Sequence, residues 1–87
     1  WTHHASPPSL TRTFLFPTFK SAMSFITRVA DLAARERHHP EWANVYNRVM
    51  VRWVTHRPRD GPEGPRVTEL DVRVARECEE IAGDVGL

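Results

Sequence analysis

Residues 42–56 read WANVYNRVMVRWVTH, and their alternating pattern indicates a β-hairpin. Residues 42–46 and 48–56 both favour strands because they are rich in aromatic and β-branched side chains. The tight turn centred on Asn47 is too short for a crossover, so the two strands are expected to pair antiparallel. One face of the second strand carries Val49, Val51, Trp53 and Thr55. This period of two is typical of a strand with one buried face.

A strand and a long helix are predicted before the hairpin. Residues 10–16 alternate between two faces and are followed by a proline, which ends the strand. Thr18 can then cap a helix that runs to about Arg37. The apolar positions with helical spacing are Phe19, Ala22, Met23, Ile26, Val29, Ala30 and Ala33. Phe25 and Leu32 widen this stripe beyond what one small sheet would cover, and they therefore predict a helix–helix interface between subunits.

The last part of the chain contains a loop and a second helix. Residues 57–66 hold three prolines and two glycines, which predict a loop. Thr68 begins the final helix, whose apolar face comprises Leu70, Val74, Cys78, Ile81 and Val85. The predicted order is strand, helix, strand, strand, helix, and a further strand can form near Trp1. This order predicts an α+β fold in which a small antiparallel sheet carries two helices on one face.

Length and charge exclude several classes of protein. A chain of 87 residues, of which 40% are hydrophobic and 26% charged, predicts one globular domain. The net charge of +1 gives no strong electrostatic footprint for nucleic acid or for an anionic membrane. Cys78 is the one cysteine, and no apolar run approaches the roughly 20 residues of a membrane helix. A membrane protein, a disulfide scaffold and a cysteine-based zinc finger are therefore excluded.

Three of the five histidines occupy places where imidazoles can do chemistry. His38 and His39 lie at the corner between the long helix and the hairpin, and His56 ends the second strand of the hairpin. Because the hairpin doubles back at Asn47, it can return His56 to the same edge as that corner. Three imidazoles around one cleft can transfer protons near neutral pH.

Two other interpretations of the histidines stay open. Isolated histidines are more often solvent-facing surface residues than catalysts, and His3 and His4 fit that description. Three histidines can also bind zinc together with a water molecule. Adjacent residues such as His38 and His39 rarely aim both rings at one ion, so metal binding is the weaker hypothesis.

Asp71 and Trp42 each have a structural and a functional interpretation. Asp71 follows Thr68 by three residues at a helix start, where its carboxylate can complete a capping box and favour the helix dipole. The functional alternative is that Asp71 orients His56 and fixes its tautomer. Trp42 is either a core or interface residue or the wall of a pocket for a flat heterocycle.

The candidate residues form one spaced pattern, which comprises His38-His39-Pro40-Glu41-Trp42, Asn44-Val45-Tyr46-Asn47, Thr55-His56 and Asp71. This pattern resembles the pterin-4a-carbinolamine dehydratase family, whose animal members double as the dimerisation cofactor of a homeodomain transcription factor. The likeness covers about residues 14–82. The chain departs from the family at Ala34 and Arg37, where acidic or polar residues are usual, and in a longer loop over residues 57–70.

The resemblance implies one domain over residues 1–87 with a four-stranded antiparallel sheet and helices packed on one face. It also implies a homo-tetramer assembled through the helix at residues 18–37. Trp1 is similar to the family's tryptophan just after an N-terminal helix, so that helix is expected to be absent from this sequence.

The reaction implied by the resemblance is loss of water from 4a-hydroxytetrahydrobiopterin to give quinonoid dihydrobiopterin, in tetrahydrobiopterin recycling. His38 and His56 would carry the protons, with the acid and the base not distinguished, while His39 holds the pterin and Asp71 supports His56. The implied substrate-binding residues are Arg37, His38, His39, Trp42, Thr55 and His56. No metal and no organic cofactor is required.

Two rival functions come from other classes. A non-catalytic dimerisation module would have a damaged histidine set, and this set is intact. A small metal-binding protein is the second rival.

The implied partners are the pterin and, by resemblance only, a transcription factor, with no direct contact to nucleic acid or membrane. The expected location is the cytoplasm, with the nucleus as the second one.

Overall fold

Four strands and two helices make up the part of the chain that the computed structural model describes, residues 1–58 and 64–87. In chain order they are β1 (Thr2–Ala5), β2 (Pro8–Leu15), α1 (Phe19–Glu36), β3 (Glu41–Val45), β4 (Arg48–Trp53) and α2 (Glu69–Asp84). The strands form one antiparallel sheet in the order β1-β2-β4-β3. The predicted α+β fold is confirmed, including the additional strand near Trp1.

The β3–β4 hairpin forms where the sequence predicts it. Its two-residue turn places Tyr46 in the left-handed region with φ of 52°. Asn47 ties the turn to the end of β2, because its side-chain amide donates to the Phe16 carbonyl at 2.8 Å and its own carbonyl accepts the Phe16 N–H at 2.9 Å. These contacts fix the register in which β4 lies between β2 and β3.

The second hairpin strand ends at Trp53 rather than at His56, because the chain changes partner there. Thr55 forms an isolated antiparallel bridge with Arg66, with hydrogen bonds of 3.0 and 2.9 Å in the two directions. This bridge closes the predicted loop of residues 57–66, of which 59–63 lie outside the described residues. It carries the chain directly into the first turn of α2.

Both ends of α1 are fixed by local hydrogen bonds. The Thr18 side chain accepts the Ser21 N–H at 3.0 Å, which confirms Thr18 as the N-cap. At the other end Arg37 adopts the left-handed conformation with φ of 52°. The His38 N–H then donates to the Ala33 carbonyl at 3.1 Å, which is the pattern of a Schellman motif. The helix therefore ends in a defined geometry that sets where His38 leaves it.

One face of the sheet and both helices enclose a single core. The buried side chains from the sheet are Phe14, Val49, Val51 and Trp53, and Phe16, which directly follows β2, joins them. The buried residues of α1 are Ala22, Phe25, Val29, Leu32 and Ala33. Those of α2 are Asp71, Val74, Ala75, Cys78 and Ala82. The predicted alternation of β2 and β4 and the apolar face of α2 are therefore confirmed.

The prediction that Phe25 and Leu32 face another subunit is wrong. Both are buried inside the chain, at 0% and 2% exposure. Phe25 packs against the rings of Phe14 and Phe16, with centroid distances of 4.7 and 4.9 Å. Two surfaces, the sheet and α2, take up this side of α1, so the buried stripe is wider than a sheet alone would need.

Ion pairs align α1 and α2 as antiparallel neighbours. Arg28 pairs with Asp84 at 3.2 Å, and Arg35 pairs with Glu77 at 3.0 Å. At the end nearest the histidines, Arg73 contacts Glu36 at 2.7 Å, and this hydrogen bond lowers the pKa of the Glu36 carboxyl. The pairs lie at the surface, so they orient the helices more than they stabilise them.

Cys78 behaves as a small core residue. Burial raises the pKa of its thiol to about 12, against a smaller opposing effect of the Trp53 indole N–H. The side chain is therefore a neutral thiol at physiological pH and an unreactive one.

In the described ranges, neither helix has the length and apolar content that crossing a membrane requires.

Candidate active site

A histidine and a buried carboxylate meet where the end of α1 lies against the start of α2. His38 Nε2 is 2.6 Å from Asp71 Oδ1. The Asp71 side chain is fully buried, and that of His38 is 11% exposed. The Schellman motif positions the histidine and the first turn of α2 positions the carboxylate, so two local sequence signals create a contact between residues 33 apart in the chain. We call these two side chains the His38–Asp71 pair.

The second oxygen of Asp71 is held by three further donors. Oδ2 accepts the Thr55 hydroxyl at 2.7 Å, the Thr68 backbone N–H at 2.8 Å and the Thr68 hydroxyl at 3.2 Å. A buried charge is tolerated only where it is paired and hydrogen-bonded in this way, and the positive end of α2 adds to the stabilisation. Asp71 therefore performs the predicted capping role while it also contacts an imidazole.

The sequence predicts His56 as the partner of Asp71, and the structure pairs this carboxylate with His38 instead. Both oxygens of Asp71 are already occupied, one by the imidazole of His38 and the other by threonine donors. His56 is exposed. Asp71 therefore contacts an imidazole, as predicted, but this imidazole belongs to His38 and not to His56.

Trp53 fixes the plane of the His38 ring. The two rings stack with centroids 5.4 Å apart and planes inclined by 14°, and Trp53 is fully buried. The indole therefore sets the tilt of the imidazole, and Asp71 sets its rotation within the plane. An ionised carboxylate at Nε2 keeps a proton on that nitrogen in the neutral ring. Nδ1 then carries the lone pair, so His38 can accept a proton at Nδ1.

Thr55 is expected to stabilise the folded protein through its bond to Asp71. Replacing Thr55 by Val keeps the shape and removes the hydroxyl, so the free energy of unfolding should fall by about 1.5–3 kcal/mol, the range for hydrogen bonds to charged groups. Urea denaturation followed by circular dichroism measures this change. Thr55→Ser retains the hydroxyl and serves as the matched control. Equal losses in the two variants would show that the hydroxyl contributes nothing.

A cavity of about 910 Å³ opens beside the pair, between the end of α1 and the first turn of α2. We call it the site cavity. His38, Thr55, Thr68 and Arg37 are among its lining residues. Its volume lies within the range of about 300–1,000 Å³ found for small-molecule sites. His38 therefore faces the cavity, while the fully buried Asp71 lies behind it.

The three predicted histidines do not all line this cavity. Of the three histidines only His38 does so among the described residues, together with the predicted binding residues Arg37 and Thr55, whereas His39, His56 and Trp42 are exposed outside it. His39 and His56 are nevertheless the chain neighbours of His38 and Thr55. Within residues 1–58 and 64–87, no three His, Cys, Asp or Glu side chains cluster closely enough to hold a metal ion.

Three contributors to the site were not identified from the sequence. Trp53, which the alternation places on the same strand face as Val49 and Val51, forms the stacking surface for His38. The predicted helix cap Thr68 also donates to the buried carboxylate. The loop residue Arg66 lines the site cavity because its backbone pairs with Thr55. The spacing of Thr68 and Asp71 indicated the contact between Thr68 and the carboxylate. Nothing in the sequence indicated the roles of Trp53 and Arg66.

Comparisons with known proteins agree with the resemblance. The family described as "Pterin 4 alpha carbinolamine dehydratase" matches residues 1–81. A protein of Bordetella avium, named provisionally as a pterin-4-alpha-carbinolamine dehydratase, is 42% identical over 86 residues, which cover 99% of this chain and 74% of that protein. One of Opitutus terrae with the same provisional name is 47% identical over 74 residues, covering 85% and 71%.

A solved structure also matches the fold. The crystal structure of a transcriptional coactivator/pterin dehydratase from Brucella melitensis superposes with a TM-score of 0.75 at 42% sequence identity. The match covers 85% of this chain and 72% of that one.

Proposed function

Because the chain belongs to the pterin-4-alpha-carbinolamine dehydratase family, we propose that it removes water from 4a-hydroxytetrahydrobiopterin to give quinonoid dihydrobiopterin. This step would return the pterin to tetrahydrobiopterin recycling. The observation that carries the proposal is the contact between His38, which lines the site cavity, and the buried carboxylate of Asp71. It combines a fixed tautomer, a fixed ring plane and access from one side, which a proton-transfer residue needs.

The reaction breaks one C–O bond and moves two protons. The proton on ring nitrogen N5 leaves, the N5 electrons form a double bond to C4a, and the C4a–OH bond breaks. The hydroxyl departs with a proton as water. His38 accepts the N5 proton at Nδ1, and the Asp71 carboxylate stabilises the imidazolium that results. A second group must protonate the departing oxygen.

We assign the second proton transfer to His56 and pterin binding to His39 and Trp42. These three side chains are exposed and therefore free to contact a ligand. His39 and His56 directly follow His38 and Thr55 in the chain, so their backbones lie at the edge of the network around Asp71. Thr55 donates its hydroxyl to Asp71, so it acts on the substrate through that carboxylate. No metal or organic cofactor takes part in this scheme.

The proposal is tested by the rate of dehydration of 4a-hydroxytetrahydrobiopterin. Because this substrate loses water spontaneously, the uncatalysed rate is measured in parallel and subtracted. The expected result is a rate that rises in proportion to protein concentration. A folded protein that leaves the spontaneous rate unchanged would overturn the proposal.

A second candidate function is a dimerisation module for a transcription factor. The name of the Brucella melitensis protein, a transcriptional coactivator as well as a pterin dehydratase, favours it. Such a module needs no proton transfer. A folded protein without dehydratase activity that binds a transcription factor would support this alternative.

We also propose that the protein is a homo-tetramer assembled through α1, by a different face from the one predicted. The apolar side chains of α1 that remain at least partly exposed include Phe19, Met23 and Ala30, and their spacing places them on one side of the helix. Phe19 is 48% exposed, an amount of apolar surface that a partner helix can bury.

Met23→Glu is therefore expected to dissociate the assembly, because it places a charge in the middle of this face. Sedimentation equilibrium measures the mass of the wild type and the variant at micromolar concentration. Ser24→Glu is the matched control, since Ser24 is exposed and lies about a quarter of a turn away. A monomeric wild type would contradict the tetramer, and a Met23→Glu variant that assembles normally would contradict the proposed face of α1.

A further inference from the structure

The walls of the site cavity carry more positive than negative charge. Arg37, Arg57 and Arg66 line it. Among residues 1–58 and 64–87, none of these arginines forms an ion pair. Glu36 and Glu69 also line the cavity, but Glu36 is already held by an arginine outside it at 2.7 Å. Three arginine side chains therefore line the cavity. Among the described residues, Glu69 is the one carboxylate of the lining that is not already in an ion pair.

Two of these arginines have a fixed backbone. Arg66 is paired with Thr55 through hydrogen bonds in both directions, so it stays opposite the Thr55–Asp71 contact. Arg37 occupies the left-handed position of the Schellman motif, with φ of 52°. Glycine is the residue usually found there, because a side chain at positive φ is strained. An arginine at this position places a cation at the rim of the cavity, directly beside His38.

The pterin ring does not account for this charge. A reduced pterin ring is uncharged near neutral pH, and so is a side chain that carries only hydroxyl groups. Arginine is suited to phosphate, because its planar guanidinium binds two oxygens at once.

We infer that the site cavity binds a phosphate group, and that the enzyme prefers 4a-hydroxytetrahydropterins whose side chain ends in a phosphate ester over those with a neutral side chain. The inference rests on the proposed function for the reaction and adds the substrate class. The ring reacts at His38, while Arg37 and Arg66 hold the phosphate. The phosphate takes no part in bond breaking, so it changes kcat/KM through binding.

The first arm of the test measures binding without catalysis. Inorganic phosphate is titrated into the wild type, the double variant Arg37→Gln/Arg66→Gln and the control Arg48→Gln by calorimetry. Arg48 is exposed and begins β4 at the end of the strand remote from Thr55. Phosphate is expected to bind to the wild type and the control and not to the double variant. Absence of binding to the wild type, or equal binding to all three, would overturn the anion site.

The second arm measures substrate preference. The ratio of kcat/KM for a phosphorylated pterin to that for its dephosphorylated counterpart is expected to be about tenfold or more in the wild type, as one or two charge-assisted hydrogen bonds provide. It should fall to about one in the double variant and persist in Arg48→Gln. A ratio near one in a wild type that binds phosphate would overturn the substrate class and indicate free phosphate as the ligand. If neither pterin is dehydrated, the proposed function fails and the first arm decides the anion site.

Discussion

Replacing Asp71 by Asn is expected to lower kcat for pterin dehydration by about 10²-fold or more while the protein stays folded. The amide oxygen of Asn can still accept the Thr55 and Thr68 donors that hold Oδ2 in the native protein. Its amino group would then face His38 and donate to Nε2. That moves the imidazole proton to Nδ1, the atom that must accept the substrate proton, and it removes the charge that stabilises the imidazolium.

Glu80→Gln is the matched control for this variant. It makes the same chemical change on the same helix, α2, at an exposed position that does not line the site cavity. Stopped-flow rates, corrected for the spontaneous reaction, should show the loss in Asp71→Asn and nearly normal turnover in Glu80→Gln. Circular dichroism checks that both variants are folded. Equal kcat values for the two would remove Asp71 from the mechanism.

Phe25→Ala is expected to cause the largest loss of stability, about 3–5 kcal/mol in the free energy of unfolding. Phe25 is fully buried, and its ring lies 4.7 Å from that of Phe14. Truncation leaves a cavity that the sheet and α2 cannot close. Small domains have a total stability of about 5–15 kcal/mol, so this single change removes a large part of it.

Phe19→Ala is the control for Phe25→Ala, because Phe19 lies on the same helix but is 48% exposed. Its ring stacks on Tyr46 at 6.4 Å, a contact at the surface that contributes about 0.5–1.5 kcal/mol. Urea denaturation at several protein concentrations measures both variants and separates folding from assembly. If Phe19→Ala cost as much as Phe25→Ala, or more, the assignment of the core face of α1 would be wrong.

Much of the fold could be predicted because its signals are local. The alternation in β2 and β4, the turn at Asn47 and the caps at Thr18 and Thr68 each depend on a few neighbouring residues. The core face of α1 could not be predicted in full. Apolar residues surround much of that helix, and the packing of α2 decides that Phe25 and Leu32 point inward.

The sequence predicted several residues of the site, but not which of them contact one another. The pattern of residues singled out His38 and Asp71, and both lie in the observed pair. The partner of Asp71 depends on where the first turn of α2 docks against the end of α1, which is a tertiary property. The stacking of His38 on Trp53 and the position of Arg66 depend on the same docking. Local spacing carries no information on such contacts.

The most direct test of proton transfer by His38 compares the wild type with His38→Ala and His4→Ala. It measures the rate of 4a-hydroxytetrahydrobiopterin dehydration after the spontaneous rate has been subtracted. His4 is an exposed histidine on β1 that contacts Thr11 at 2.9 Å, so its replacement controls for the loss of an imidazole as such. Wild type and His4→Ala should accelerate dehydration equally, and His38→Ala should be slower by about 10²-fold. A wild type no faster than the spontaneous reaction, or a His38→Ala variant as fast as wild type, would contradict the account.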